Sequence, residues 1–418
     1  MSLIVVFLAL IFGYSLISSR LERTIFTSPM IFTAAGVVAM VVQPVIHDGD
    51  GGQHYLLTIA EIGLVLLLFA DAYRTDLAAI NSFRRLPVRL LSVGMLLTIV
   101  LGLLAAIGIF PGLSTWEAGI LAAILAPTDA GLGQIIVQSK KVPLKIRQSL
   151  NVEAGLNDGL SVPFLLFFIA LAAGPSESGN PSLSKYITEQ LGYGALIGIG
   201  IGLIGGWLMG VAERRKTTGH MWAQLGLLAL PLLCVLASEA VSASMFIAAF
   251  VGGMAARFGG QLTHEGPVEF TEHAGQLFNL SVFFLFGLFV ARDWQQFNSR
   301  HFLYAILSLT VVRMLPVAIA LIGTKLSATT VIFMGWFGPR GLASIVLGLV
   351  FLEHATNQPG VATIRMAVMA TVLLSIFAHG ASALPGIAFY QRKLTELRDD
   401  SPEFGSAPIV PEAKLSEI

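Results

Sequence analysis

Apolar runs of about 20 residues recur along the whole chain, separated by short polar or charged segments. A helix needs about 20 mainly apolar residues to cross the hydrocarbon layer of a bilayer, so this pattern predicts membrane-spanning helices. Thirteen spans are predicted, at residues 2–18, 27–45, 55–73, 86–109, 116–137, 147–173, 190–211, 220–238, 241–257, 274–291, 301–323, 329–352 and 362–389. The predicted fold is therefore all-α and polytopic. It has one transmembrane unit over residues 1–390 and a short cytoplasmic tail over residues 391–418, which we expect to be disordered or weakly docked.

The basic residues are distributed unevenly between the loops. Nineteen of the 25 Lys and Arg residues lie in the tail or in loops that follow odd-numbered spans. The other loops hold only Lys185, Arg292, Arg300 and Arg365. Because cytoplasmic loops collect Lys and Arg, this asymmetry predicts that the N-terminus lies outside and the C-terminus in the cytoplasm.

Composition narrows the class of protein. Hydrophobic residues make up 55% of the chain and charged residues only 12%, so the bilayer is the expected solvent. The formal net charge is zero, which indicates no nucleic-acid partner. No GxxxxGK[ST] loop is present, so we expect no nucleotide and no other cofactor.

Two predicted spans carry helix-breaking residues beside a charge at their centres. The fifth span contains Ala126-Pro127-Thr128-Asp129, and the twelfth contains Gly338-Pro339-Arg340-Gly341. If the seventh span links two six-helix units, the two breaks occupy equivalent positions, as in transporters built from inverted repeats. Freed backbone groups at such breaks can coordinate an ion near the middle of the membrane. The alternative is that Pro and Gly only kink two packed helices.

The sixth span holds two acids, Glu153 and Asp158, beside Asn157. A charge near the bilayer centre is costly, so these side chains are expected to face protein or water. Glu153 and Asn157 share one helix face, whereas Asp158 points about 100° away from Asn157. We expect Glu153 to pair with Arg340 as a structural bridge.

Asp158 is expected to meet Asp129 or Thr128 across a hydrated cavity. A proton and a cation could compete for the same carboxylate oxygens, and either one would neutralise the site before it moves through the apolar barrier. The alternative is a polar network whose charges are all neutralised within the protein.

These motifs together resemble the sodium/proton antiporters of the monovalent cation:proton antiporter-1 family. The segment from Leu68 to Asp71, followed by Arg74 and Asp76, resembles that family less specifically. The resemblance implies a thirteen-helix fold of two inverted six-helix repeats and a homodimer. It also implies an elevator-type cycle, in which a core domain of helices 3–6 and 10–13 moves against a dimerisation domain of helices 1–2 and 7–9.

The resemblance also implies roles for individual residues. Asp158 would carry the ion and the proton, and Asp129 and Thr128 would complete the site for Na+. Asn157 would be the structural partner of the site, and Glu153 and Arg340 would form the core ion pair. Arg313 would balance charge. The adjacent Asn-Asp pair implies the electroneutral branch of the family, which exchanges one cation for one proton.

The sequence departs from the usual family pattern at Ala130, Ala154 and Pro339. Ala154 stands where a hydroxyl residue often supplies a cation ligand, so water or Thr128 is expected to substitute. We therefore predict exchange of Na+ or Li+ for protons, with K+/H+ exchange as the alternative.

Two other classes of function remain open at this point. Asp129 and Asp158 lie on consecutive spans and could form the dyad of an intramembrane aspartyl protease, although no Gly-x-Gly-Asp pattern precedes Asp158. An ion channel is the other class. We expect the membrane to be a bacterial inner membrane and the partners to be cations, protons, lipid and a second copy of the chain.

Overall fold

The computed structural model describes residues 3–21, 24–42, 52–74, 85–173, 188–260, 266–354, 359–397 and 401–404. All regular secondary structure in these ranges is helical. The helices are α1 Leu3–Leu21, α2 Ser28–Val42, α3 Gly52–Arg74, α4 Arg85–Ile109, α5a Thr115–Ile124, α5b Ala130–Gln138, α6 Leu144–Ala172, α7 Gly194–Arg214, α8 His220–Glu239, α9 Met245–Gly260, α10 Gly266–Arg292, α11a Ser299–Leu309, α11b Val311–Ala320, α12a Ala328–Trp336, α12b Leu342–His354 and α13 Val361–Leu394.

Every predicted span coincides with one of these helices or with a pair of half-helices, so the predicted fold class is confirmed. Eight helices of the described residues are individually long and apolar enough to cross a membrane. The interruptions predicted in spans 5 and 12 are present. Span 11 is interrupted as well, at Thr310, where the backbone leaves helical angles (φ −105°, ψ −91°). No Pro or Gly stands at the break itself, and the nearest proline, Pro316, lies within α11b.

A stripe of glycines brings α7 and α9 into close contact. Small residues at every fourth position let two helix backbones approach each other in a membrane. A Cβ atom at any glycine of the stripe would overlap a backbone carbonyl of α9. The stripe consists of Gly198, Gly202, Gly206 and Gly210. These two helices therefore form a tight pair to which α8 is joined.

Helix α1 is packed much less closely than α7 and α9, because none of its residues is buried. It packs on α2 through edge contacts of Phe7 and Tyr14 with Phe32. Its outer face exposes Leu8, Phe12 and Leu16. An apolar face of this extent fits contact with lipid or with another membrane protein.

The predicted tail begins later than expected, and one segment of it is docked. Helix α13 continues to Leu394, beyond the expected start of the tail, and residues 401–404 are docked. The Glu403 carboxylate accepts hydrogen bonds from the Ser327 N–H (2.7 Å) and the Thr330 hydroxyl (3.0 Å) at the start of α12a. The Lys145 ammonium donates to the Pro402 carbonyl (2.8 Å). Polar contacts at a helix N-terminus thus fix a segment that its composition alone assigns to a tail.

The Glu403 contacts also affect its ionisation. Burial by itself would raise the pKa of this carboxyl, but the hydrogen bonds donated by Ser327, Thr330 and its own backbone bring the pKa below the ordinary value for glutamate. The ionised form is therefore the one that docks.

The two broken helices cross at the centre of the molecule. Helix α6 packs against both halves of α5 and against α3 and α12b, while α13 packs against α5b and both halves of α12. This arrangement places the polar segments of spans 5, 6 and 12 next to one another.

Candidate functional site

The break in α5 is closed by Asp129, the residue that caps α5b. Its Oδ1 atom accepts hydrogen bonds from the N–H groups of Gly131 (2.7 Å) and Leu132 (3.1 Å). These N–H groups lie in the first turn of a helix and have no partner within it. Pro127, which has no N–H, lies just before this cap and explains why the helix is interrupted here.

Asp129 also closes the break in α12. Its Oδ2 atom accepts the N–H of Leu342 (2.8 Å), and its own N–H donates to the Pro339 carbonyl (2.8 Å). A side chain at Gly341 would overlap this carboxylate, so the approach of the two breaks requires glycine at that position. One aspartate therefore caps two half-helices, and both of its oxygens are engaged.

Arg340 joins the two breaks from the other direction. Its side chain is fully buried, and Nη1 donates to the carbonyls of Ala126 (2.8 Å) and Pro127 (2.9 Å). Those carbonyls are freed by the break in α5 and need donors in a site shielded from bulk water. Arg340 is thus a cross-link between α12 and the unwound part of α5.

The expected pairing of Glu153 with Arg340 is wrong. Glu153 accepts a charge-assisted hydrogen bond from Arg313 (Nη1 to Oε1, 2.6 Å), and both side chains are 3% exposed. The guanidinium of Arg313 passes close beside the α-carbon of Gly338, where a side chain would overlap it. Residue spacing on helix 6 fixes the face that carries Glu153, but tertiary packing decides which arginine reaches that face.

Asn157 holds Thr128 by two hydrogen bonds. Its Nδ2 donates to Thr128 Oγ1 (2.7 Å), and its Oδ1 accepts the backbone N–H of Thr128 (3.2 Å). Both residues are buried. The amide therefore fixes α6 to the unwound segment of α5 and uses one lone pair of the Thr128 hydroxyl.

Asp158 differs from its neighbours because one of its carboxylate oxygens is not engaged. Its Oδ1 atom is buried and has no hydrogen-bond partner among the described residues. The side chain lines a cavity of about 410 Å³. A buried carboxylate oxygen without a donor is costly to keep, which favours binding of a proton or a cation there.

The cavity, called the funnel below, is lined by Asp158 and Asp129. It is also lined by residues at the end of α3, the end of α5b and the starts of α6 and α10, including Arg74, Gln138 and Gln148. The loops at this end of the molecule are those in which the basic residues concentrate. Asp158 therefore faces a cavity with polar and charged lining residues.

Asp71 on α3 is a further acid of the site that was not among the predicted site residues. It lines the same cavity, and its Cβ lies within van der Waals distance (3.4 Å) of the place a Cβ at Gly155 would take. Arg74, one turn further along α3, forms an ion pair with Glu272 of α10. The signal for Asp71 in the sequence was an acid within the third apolar span.

Comparison with known proteins identifies the family. The family described as "Sodium/hydrogen exchanger, transmembrane" matches residues 4–382. The chain belongs to this family. Its membrane-embedded fold and its resemblance to sodium/proton antiporters of the monovalent cation:proton antiporter-1 family are thereby confirmed.

Individual members of the exchanger family are distant in sequence. A Na+/H+ antiporter of Schizosaccharomyces pombe is 26% identical over 324 residues, which cover 72% of this chain and 68% of the relative. The K+/H+ antiporter NhaP2 of Shewanella baltica is 23% identical over 378 residues, which cover 87% of this chain and 62% of the relative. The chain spans between 36% and 53% of the length of three further fungal antiporters that it matches.

The fold of this exchanger-family chain is also seen in a solved structure. The sodium proton antiporter MjNhaP1 from Methanocaldococcus jannaschii superposes with a TM-score of 0.70 at 20% identity, covering 91% of this chain and all of that one. The protease alternative has no support from these matches, and the Asp129 carboxylate is engaged by three backbone N–H groups in place of a partner aspartate.

Proposed function

We propose that this exchanger-family chain exchanges Na+ or Li+ for H+, one for one, by competition of the cation and the proton for Asp158. The observation that carries the proposal is the buried, unengaged carboxylate oxygen of Asp158, whose side chain lines a cavity of about 410 Å³. Asp129 lines the same cavity and Thr128 directly precedes it in the unwound segment, but their oxygens already accept hydrogen bonds. They are proposed to complete the ion's surroundings with remaining lone pairs, while Asp158 exchanges its ligand.

The charges around the crossing support a stoichiometry of one cation per proton. Arg313 and Arg340 are buried and positive, and Glu153 and Asp129 are buried and negative. These four charges cancel, so at the crossing itself the ionised Asp158 leaves one negative charge that is not offset. Either H+ or Na+ neutralises it, and only a neutral core can cross the apolar barrier at low cost.

Asp71 is proposed to act as a second carboxylate on the path of the ion. It faces α6 at Gly155 and lines the funnel together with Asp158 and the Arg74–Glu272 ion pair. An acidic funnel raises the local concentration of cations and so increases their rate of arrival.

The proposal also includes the orientation of the protein in the membrane, its moving domains, its dimer contact and its location. The funnel opens on the side with most basic residues, which we assign to the cytoplasm, with the N-terminus outside. Helices 3–6 and 10–13 would move as the core domain against helices 1–2 and 7–9, which would form the dimer contact through faces such as that of α1. A bacterial inner membrane is the proposed location.

The identity of the transported cation is the part of the proposal for which a specific alternative exists. Ala154, buried beside Glu153, supplies no oxygen ligand, so water in the funnel must complete the coordination of a small cation. This lowers the expected discrimination between Na+ and K+. Similarity to K+/H+ antiporters of Shewanella keeps K+/H+ exchange as the alternative.

The test is dequenching of a pH-sensitive dye in proteoliposomes, run separately with Na+, Li+ and K+. We expect saturable proton movement with Na+ and Li+, a weaker response to K+, and a rate that an imposed membrane voltage does not change. A response to K+ alone would establish the alternative. A steep voltage dependence would contradict one-for-one exchange, and unitary currents would indicate a channel.

A further inference from the structure

A buried histidine on α13 contacts the break in α12 at a point that the exchange mechanism above does not use. His379 is 2% exposed, and its Nε2 lies 2.8 Å from the backbone carbonyl oxygen of Trp336. Trp336 is the last residue of α12a, and its carbonyl, which has no helical partner, also accepts the backbone N–H of Gly338 (2.9 Å). The imidazole also stacks on the Trp336 indole, with ring centroids 4.9 Å apart.

Ser375, one turn earlier on α13, contacts the other side of the same break. Its Oγ accepts the backbone N–H of Arg340 (2.6 Å) and lies 3.2 Å from Nδ1 of His379. Arg340 is the residue whose guanidinium holds the unwound part of α5. The two side chains of α13 thus contact the residue before the break and the arginine within it.

We assign the neutral tautomer of His379 with the hydrogen on Nε2, the ring nitrogen at the shorter distance from a carbonyl oxygen. A carbonyl only accepts, so Nε2 of the neutral imidazole carries the hydrogen and donates to Trp336. Nδ1 then carries a lone pair, which accepts the hydroxyl hydrogen of Ser375. It also lies 3.0 Å from the Ser375 carbonyl oxygen, but two acceptors cannot bond to each other. A continuous chain of hydrogen bonds therefore connects the Arg340 N–H, through Ser375 and His379, with the Trp336 carbonyl.

We propose that His379 and Ser375 are positioning residues of the ion site. By satisfying the backbone on both sides of the α12 break, they fix where Arg340 and Pro339 present their groups to α5. Pro339 accepts the N–H of Asp129, and Arg340 holds the carbonyls that precede Thr128. A shift of the α12 backbone would therefore move the ligands around Asp158. This inference rests on the proposed function for its link to ion binding.

The test uses His379→Phe, which keeps the stacked ring but removes both hydrogen bonds, and Ser375→Ala, which removes the link to Arg340. Both should raise the KM for Na+ in proteoliposomes about fivefold to tenfold, with a smaller change in maximal rate. His379→Gln keeps a donor that can reach the Trp336 carbonyl and should recover part of the affinity. Ser382→Ala is the matched control, because it removes a hydrogen bond to the Trp336 indole without touching the backbone of the break.

Hydrogen–deuterium exchange of the segment 336–342 gives a second readout that does not depend on transport. We expect about tenfold faster exchange in His379→Phe and Ser375→Ala, and no change in Ser382→Ala. If wild-type protein transports Na+ but neither variant alters KM or exchange in this segment, the positioning role is overturned. If the wild type fails to exchange Na+ while the segment still loosens, the chain of hydrogen bonds stands and the proposed function falls. Should His379→Phe fail to fold, Ser375→Ala decides alone by the same two readouts.

Discussion

Replacing Asp158 with asparagine is expected to reduce Na+-dependent proton movement to the level of empty liposomes. An amide keeps the size of the side chain, but it can neither release a proton nor supply a negative charge to a cation. The measurement is dye dequenching with equal amounts of reconstituted wild-type and variant protein. The variant should still insert and fold, because Asp158 Oδ1 has no hydrogen bond to lose.

Asn151 provides a matched control for this prediction. It lies two turns before Asp158 on the same face of α6 and lines the same cavity, but it is exposed near the mouth. Asn151→Ala should therefore leave exchange within about twofold of wild type, since a solvated side chain contributes little binding energy. Exchange that survives in Asp158→Asn would remove this residue from the carrier role.

Breaking the Arg313–Glu153 ion pair is expected to have the largest effect on stability. Arg313→Met leaves the Glu153 carboxylate buried without its partner, which costs about 3–5 kcal/mol. Glu153→Leu should be damaging for the same reason. The double variant should recover much of the loss, because two apolar side chains leave no buried charge. Thermal unfolding of the detergent-purified protein, with the yield of monodisperse material, measures this.

Arg340 distinguishes this account from the pairing predicted from sequence. If Arg340 were the partner of Glu153, Glu153→Leu would rescue Arg340→Met. The structure gives Arg340 two carbonyl partners instead, so the double variant should be as unstable as Arg340→Met or worse. Rescue of Arg340→Met, or failure to rescue Arg313→Met, would contradict the observed pairing.

The sequence predicts much of the fold because bilayer thickness imposes a length on each apolar run. Proline and glycine beside a charge also locate both central breaks, since the signal lies in the chain next to Pro127 and Pro339. The apolar spans and the two breaks are local features of the chain. The hydropathy and backbone chemistry of neighbouring residues are enough to predict them.

The parts of the site that the sequence could not supply depend on contacts between distant segments. The choice of Arg313 over Arg340 as the partner of Glu153 is decided by how α11 packs against α6. The capping of both half-helices by Asp129 needs the crossing itself, which no single span defines. Docking of Glu403 depends on an exposed helix N-terminus some seventy residues earlier in the chain.

In the proposed mechanism, the charge arrangement explains why one carboxylate would couple two fluxes. At the crossing, the buried charges of Arg313 and Arg340 offset those of Glu153 and Asp129, so the charge left there is that of Asp158. A proton and Na+ are then interchangeable as counter-charges, although they bind with different affinities. Coupling follows because the unloaded core is the one form that pays the full penalty for a bare charge in the apolar barrier.

The most direct test of this competition is the dependence of the KM for Na+ on pH in proteoliposomes. If one proton must leave Asp158 for each Na+ that binds, KM should rise about tenfold for each unit by which pH falls below the titration range of the site, with maximal rate unchanged. A KM that does not change with pH, together with a falling maximal rate, would show that the proton and the cation bind at separate places and would contradict the account.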